Sequence, residues 1–276
     1  MYNDRSRRPD PVSFSKLQLW HSDVTYERQP PGPTSFKLLT SPEYGGDTIW
    51  SSGFVQHISF VRSLVFTVRR YALYSGLSPG FQKYLEGLEA VHTAADQANG
   101  SRAAGLHVRR QEIDSVHPVV RVHPATGWKS VYVNPGTTPL LIPSVATVML
   151  TDMLLTGFTR RIVGVPKAES DAILEFLFRQ IAENPDWQVR YSWEANSVAV
   201  WDNRVLTHSA IFDFWPATRH ALRVTPHAEK PLSVKAYEEL YGKEAKDRQL
   251  EVWKEQGVDA NGSKAGHPTA PARYND

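Results

Sequence analysis

The sequence predicts a mostly β protein with a few covering helices, built as two packed sheets of the jelly-roll kind. Three observations carry this. Short segments rich in strand formers recur along the chain, punctuated by Gly- and Pro-rich turns. The clearest helical periodicity is confined to one segment, residues 168–182, with few others. No internal repeat points to a solenoid or propeller. With 276 residues, 41% hydrophobic and eight Trp, the chain can bury one large core, so we assign residues 1–232 to one jelly-roll domain. Residues 233–276 read as a charged helical extension with a disordered tail.

Taken in order, the polar start Met1–Pro11 leads to the extended segment Leu19–Glu27 and then to the connector Arg28–Pro33, which cannot sit in a central strand. Thr34–Leu39 alternates as a strand, Tyr44–Gly46 turns, and Asp47–Trp50 is the next strand. Leu77–Leu88 is a helix, with Ser78 as N-cap and Pro79 at the first helical position. The polar stretch Asp96–Arg110 reads as a mobile loop and a candidate lid. Val116–Pro124 and Trp128–Val133 are strands around a turn at Ala125–Gly127. Ile173, Leu174, Leu177, Phe178 and Ile181 give Ala168–Ala182 its helical stripe, and Asn184-Pro185 ends it. Strands follow at Trp187–Trp193, Ser197–Trp201 and Arg219–Thr225. Ser233–Tyr241 and Lys243–Gln256 read as charged helices, with Gly257 a natural stop before the Gly/Ser/Pro/Ala-rich tail Val258–Asp276.

Composition narrows function. A net charge of +2, from 31 basic and 29 acidic side chains with no long basic run, argues against a nucleic-acid tract or polybasic membrane anchor. The absence of Cys excludes thiolate metal sites, catalytic thiols and disulfides. Met1–Pro11 has no apolar region of the secretory type, and the longest apolar run, Thr138–Leu155, is broken by Pro139, Pro143 and Asp152. The expectation is a soluble, cytoplasmic protein with no nucleic-acid or membrane partner; homo-oligomerisation stays open.

The chemistry begins at His21-Ser22-Asp23. In an extended segment, residues two apart project to one side, so His21 and Asp23 converge. One imidazole and one carboxylate are two-thirds of a facial triad for iron(II), and a second His must come from elsewhere. Alone the pair is weak, because most surface His and Asp are merely solvated. A distant block, Val200–His208, followed by Arg219 and Arg223, strengthens it. His117 and His123 are rival ligands, although a structural role is the commoner outcome for such histidines. Thr48 by itself reads as an ordinary strand threonine. In the last strand Arg219, Ala221, Arg223 and Thr225 share a face. Spacing leaves two uses for the arginines equally open: meeting an anion in the barrel interior, or pairing with carboxylates at the rim.

Together these residues carry a specific resemblance. Trp20-His21-Ser22-Asp23-Val24-Thr25, Gly45-Gly46-Asp47-Thr48, Phe158-Thr159-Arg160-Arg161-Ile162-Val163, and Trp201-Asp202-Asn203-Arg204 with His208, Arg219 and Arg223 resemble the taurine dioxygenase family over Leu19 to Pro231, closest to the fungal sulfonate dioxygenases. The resemblance implies a cupin-like double-stranded β-helix and an enzyme dependent on Fe(II), 2-oxoglutarate and O2. It implies that His21, Asp23 and His208 hold iron, that Arg219 and Thr48 hold the distal carboxylate of 2-oxoglutarate, that Arg223 meets a small anionic substrate, and that Phe158 lines its pocket. The implied reaction hydroxylates the carbon next to a sulfonate, releasing sulfite and an aldehyde with succinate and CO2. Alternatives are the same chemistry on an alkyl sulfate or aryloxy carboxylate, or a truncated, non-catalytic relative.

Three departures from the family pattern stand out. Only 20 residues precede His21, and Lys16 and Leu17 stand where polar substrate-side residues are expected. Phe54–Arg70 separates Gly53 from Tyr71, and Thr137–Gly157 separates Gly136 from Phe158, each inside otherwise matching text. Both interruptions are apolar and read as translated introns, with a mis-assigned start; the alternative is genuine loop insertion.

Overall fold

The computed structural model describes residues 2–3, 19–51, 59–60, 63–65, 71–103, 105, 107–108, 110–135 and 158–259. In chain order its strands are β1 (Tyr2–Asn3), β2 (Pro33–Thr40), β3 (Thr48–Ser51), β4 (Ser59–Phe60), β5 (Ser63–Val65), β6 (Glu89–Thr93), β7 (Asp114–Pro118), β8 (Val120–Val122), β9 (Lys129–Val131), β10 (Thr159–Ile162), β11 (Gln188–Tyr191), β12 (Val198–Asp202), β13 (Thr207–Ala210), β14 (Arg219–Val224) and β15 (Leu232–Ser233). The main sheet runs β1-β14-β2-β12-β5-β4. Its pairs are antiparallel except β12 with β5. Three smaller antiparallel sheets are ordered β11-β3-β13, β10-β6-β7 and β15-β8-β9.

Alternation in β2 explains where the site forms. Thr34, Phe36 and Leu38 point inward, while Pro33, Ser35 and Lys37 face solvent. Phe36 and Leu38 then meet Ala199 and Trp201 of β12, Ala221 of β14, Trp50 of β3, and Trp193 and Leu206 in one core. Truncating Phe36 to Ala there costs about 3–5 kcal/mol. The β2–β14 pairing shifts register between His220 and Ala221, opposite Thr40 and Leu38. The second core lies under the helix Lys167–Glu183, whose Leu174, Leu177, Phe178 and Ile181 pack with Leu85, Val120, Val131 and Ile162. Each such buried side chain contributes about 1.5–3 kcal/mol.

Three local expectations change. Leu19–Glu27 is not a strand: only His21 makes a β-bridge, to His208, and the chain then turns through Asp23–Tyr26. Asp96–Arg110 is not a loop throughout, because Ala95–Ala103 is helical, with Asp96 in its first turn and Ala98 buried beneath it. Lys243–Gln256 is helical only over Arg248–Glu255. Gly242, at φ 61°, closes the preceding helix Val234–Tyr241, and the Asp247 carboxylate accepts from the N–H groups of Gln249 and Leu250 to start the next. Beside β15, which pairs with β8, Tyr237 and Ala245 bury Val122.

Met1, residues 4–18, most of 54–70, all of 137–157 and the tail from 260 lie outside the described residues, so the expectations about the start, the interruptions and the tail fall largely there. Of the first interruption, the backbone of β4 and β5 is described, at the edge of the main sheet. No helix among the described residues is long and apolar enough to cross a membrane.

Candidate metal centre

His21 and His208 face each other across their bridge, with reciprocal backbone bonds of 3.0 and 2.8 Å. Their ring centroids are 4.3 Å apart. Asp23 reaches the same point because the chain turns after it. Val24 adopts φ 39°, a left-handed conformation that strains a β-branched residue by about 1–3 kcal/mol. Two buried asparagines hold that turn. Asn134 Oδ1 accepts from the Ser22 N–H at 3.0 Å, and its Nδ2 donates to the Ser22 carbonyl at 2.9 Å. Asn203 Oδ1 accepts from the Asp23 N–H at 3.1 Å, and its Nδ2 donates to Thr34 Oγ1 at 2.6 Å. The Thr34 hydroxyl in turn donates to Asp23 Oδ2 at 3.1 Å.

One carboxylate oxygen is thus held by the protein, and the other, Oδ1, lies 3.8 Å from Nε2 of both His21 and His208. Each of the three residues offers one donor atom, all within 4.8 Å of one another. His21 Nδ1 sits 2.8 Å from the Leu19 carbonyl, which selects the tautomer with its lone pair on Nε2. Two imidazole nitrogens and one carboxylate oxygen with a fixed outer shell suit a divalent iron that keeps its remaining positions open. Burial pushes the Asp23 carboxyl up, but His208, Arg223, His21 and the Thr34 hydroxyl outweigh it, leaving its pKa below the ordinary carboxylate value.

A cavity of about 260 Å³ opens beside these residues, walled by Phe36, Trp50, Phe158, Trp193, Trp201 and Phe212. His21, Thr48, Phe158, His208, Arg219 and Arg223 all line it, and Asp23 is tied to it through its ion pair with Arg223. Arg219 is 9% exposed, and its Nε makes no hydrogen bond among the described residues. Burial pushes its guanidinium below the ordinary value, with Asp47 opposing. The Phe36 and Trp193 rings flank it at 5.4 and 5.9 Å. Gly45 and Gly46, at φ 73° and 74°, make the approach feasible: a Cβ on Gly46 would meet Arg219 Cδ at 3.2 Å. Thr48 Oγ1 accepts from Trp193 Nε1 at 2.9 Å, which leaves the Thr48 hydroxyl hydrogen for another acceptor. Arg223 Nη1 donates to Asp23 Oδ1 at 2.9 Å. Phe158 packs edge-on against Tyr26 at 5.0 Å.

The rival histidines lie elsewhere. His117 Nε2 meets the Glu27 carbonyl at 2.9 Å, and burial pushes its pKa down to about 4. His123 Nε2 sits 3.1 Å from Asp202 Oδ2, within a network where Arg204 joins Asp202 to Glu229. That network braces the turn carrying Asn203. The roles of Asn203, Asn134, Thr34 and Trp193 were not anticipated. A buried amide must find partners, so Asn203, directly after a strand in Trp-Asp-Asn-Arg, was the one traceable signal.

The chain matches the family described as "Taurine catabolism dioxygenase TauD, TfdA family" over residues 2–55 and 70–225. It belongs to that family. Among TauD/TfdA relatives, a Schizosaccharomyces pombe protein assigned by name to the alpha-ketoglutarate-dependent sulfonate dioxygenases is 40% identical over 232 residues, covering 84% of this chain and 50% of its own length. A Saccharomyces cerevisiae alpha-ketoglutarate-dependent sulfonate dioxygenase is 34% identical, covering 82% and 48%. The crystal structure of a taurine dioxygenase from Burkholderia xenovorans superposes with a TM-score of 0.58 at 28% identity, covering 85% of this chain and 66% of that one. The chain therefore spans about half the length of these curated TauD/TfdA relatives.

Proposed function

We propose that this chain is an Fe(II)- and 2-oxoglutarate-dependent dioxygenase, built on a double-stranded β-helix, that hydroxylates the carbon next to a sulfonate on a small taurine-like substrate. Sulfite and an aldehyde leave as products, with succinate and CO2 from the keto acid. In this reading His21, Asp23 and His208 hold the metal. Arg219 takes the distal carboxylate of 2-oxoglutarate, where paired hydrogen bonds satisfy a guanidinium that is otherwise costly to bury. Thr48 donates its hydroxyl hydrogen to the same carboxylate, oriented by the Trp193 N–H. Arg223 anchors the substrate's anionic group, and Phe158 with the tryptophan wall excludes water from the reacting carbon. When bound, iron supplies the redox chemistry that couples O2 and keto-acid decarboxylation to hydroxylation.

One observation carries the reading: two imidazole Nε2 atoms converge on one Asp23 oxygen in a cavity also lined by a buried guanidinium. The test is turnover of a substrate panel with Fe(II), 2-oxoglutarate and ascorbate. Sulfite with succinate supports the proposal; succinate with a different product moves the substrate to an alkyl sulfate or aryloxy carboxylate, since Arg223 recognises charge rather than one acid. Neither product, with Mn(II) still bound, identifies a non-catalytic relative.

A further inference from the structure

Arg223 is paired with Asp23. Its Nη1 lies 2.9 Å from Asp23 Oδ1, the same oxygen that stands 3.8 Å from Nε2 of His21 and of His208. Thr34 occupies the other carboxylate oxygen. The Asp23 side chain is 4% exposed and the Arg223 side chain 29%, so the guanidinium reaches from the cavity down to a buried charge. A carboxylate this buried requires a countercharge. Among the described residues, Arg223 is the one permanent cation bonded to it.

We propose that Arg223 is the counter-ion of Asp23 in the metal-free protein, and that metal loading releases it into the cavity to become the anchor for the substrate anion. The inference rests on the metal-triad reading above. A dication and a guanidinium at one oxygen repel each other, so Arg223 opposes the metal while it stays on Asp23. An anion in the cavity gives the guanidinium another partner and removes that opposition. Metal and anion therefore strengthen each other's binding, and the coupling is reciprocal. In this arrangement Asp23 and a cavity anion compete for the same guanidinium.

Mn(II) binding to the full chain, followed by the electron paramagnetic resonance signal of the free ion, tests this without turnover. Wild type, Arg223→Gln, Arg223→Lys and His21→Ala are compared, each checked for folding by circular dichroism. The expected result is Mn(II) affinity higher by on the order of tenfold in Arg223→Gln, near wild type in Arg223→Lys, and lost in His21→Ala. Propane-1-sulfonate should tighten Mn(II) binding in wild type and leave Arg223→Gln unmoved. Equal or weaker binding in a folded Arg223→Gln overturns the proposal while the triad stands. If that variant does not fold, wild-type Mn(II) affinity that ignores the sulfonate overturns it instead. Absence of Mn(II) binding in wild type sinks the triad reading, and the counter-ion role falls with it.

Discussion

The two ends of the cavity satisfy their charges in opposite ways. At the Asp23 end the protein supplies every partner: Thr34 for Oδ2, Arg223 for Oδ1 and Asn203 for the backbone N–H. At the Arg219 end the guanidinium is buried among aromatic faces, and its Nε is left without a hydrogen bond among the described residues. The first end is paired by protein groups, of which Thr34 and Asn203 fix its geometry. The second stores an unmet electrostatic demand, which favours binding over stability.

The sharpest way to break the comparison is Asp23→Ala, which is expected to leave no measurable Mn(II) binding at concentrations that saturate wild type. Next, Arg219→Met should weaken 2-oxoglutarate binding about 100-fold, the scale of a lost bidentate charge-assisted pair. The same change should leave the ligand-free melting temperature level or raise it, because an unmet buried charge is replaced by apolar volume. A drop of several degrees would show that Arg219 is already paid its due by the protein.

His117 supplies a control: a histidine as buried as His208 but outside the cavity. Burial holds its pKa near 4, below the ordinary 6.5, so the folded state resists its protonation. Its contribution is complete above about pH 6.5 and fades as pH falls toward 4, by roughly 3 kcal/mol in all. Acid melts of the metal-free protein should show this loss, and His117→Gln should flatten it. Asn203→Ala strands the Asp23 N–H and should cost about 1–3 kcal/mol of stability, with Mn(II) affinity lower by about 10–100-fold. The smallest effect is expected for Trp193→Phe, which removes one hydrogen bond to Thr48 and should weaken 2-oxoglutarate about fivefold by calorimetry.

Much of this was legible in the residues, for identifiable reasons. Strand β2 buries alternate side chains and Lys167–Glu183 carries an unbroken apolar stripe, so periodicity found both. Ala95–Ala103 escaped because, among the described side chains, Ala98 alone of its apolar residues is deeply buried, giving almost no stripe. His21 and Asp23 do converge, but through a turn with Val24 at positive φ rather than through a strand. Nothing in a β-branched residue announces that conformation. The Arg223–Asp23 pair joins residues 200 positions apart, and the Asn203 bonds reach back 169 to 180, so only the closed fold creates them.

Strands β3 and β13 carry one last implication. Trp50 lies opposite His208 and Thr48 opposite Ala210, so the metal end and the Thr48 end are separated by a single two-residue step, roughly 7 Å along the sheet. Under the proposed roles the pleat acts as a ruler for the co-substrate's carbon backbone. Under those roles oxaloacetate, one carbon shorter than 2-oxoglutarate, is expected to reach Thr48 and Arg219 poorly and to bind more weakly than 2-oxoglutarate, which calorimetry checks.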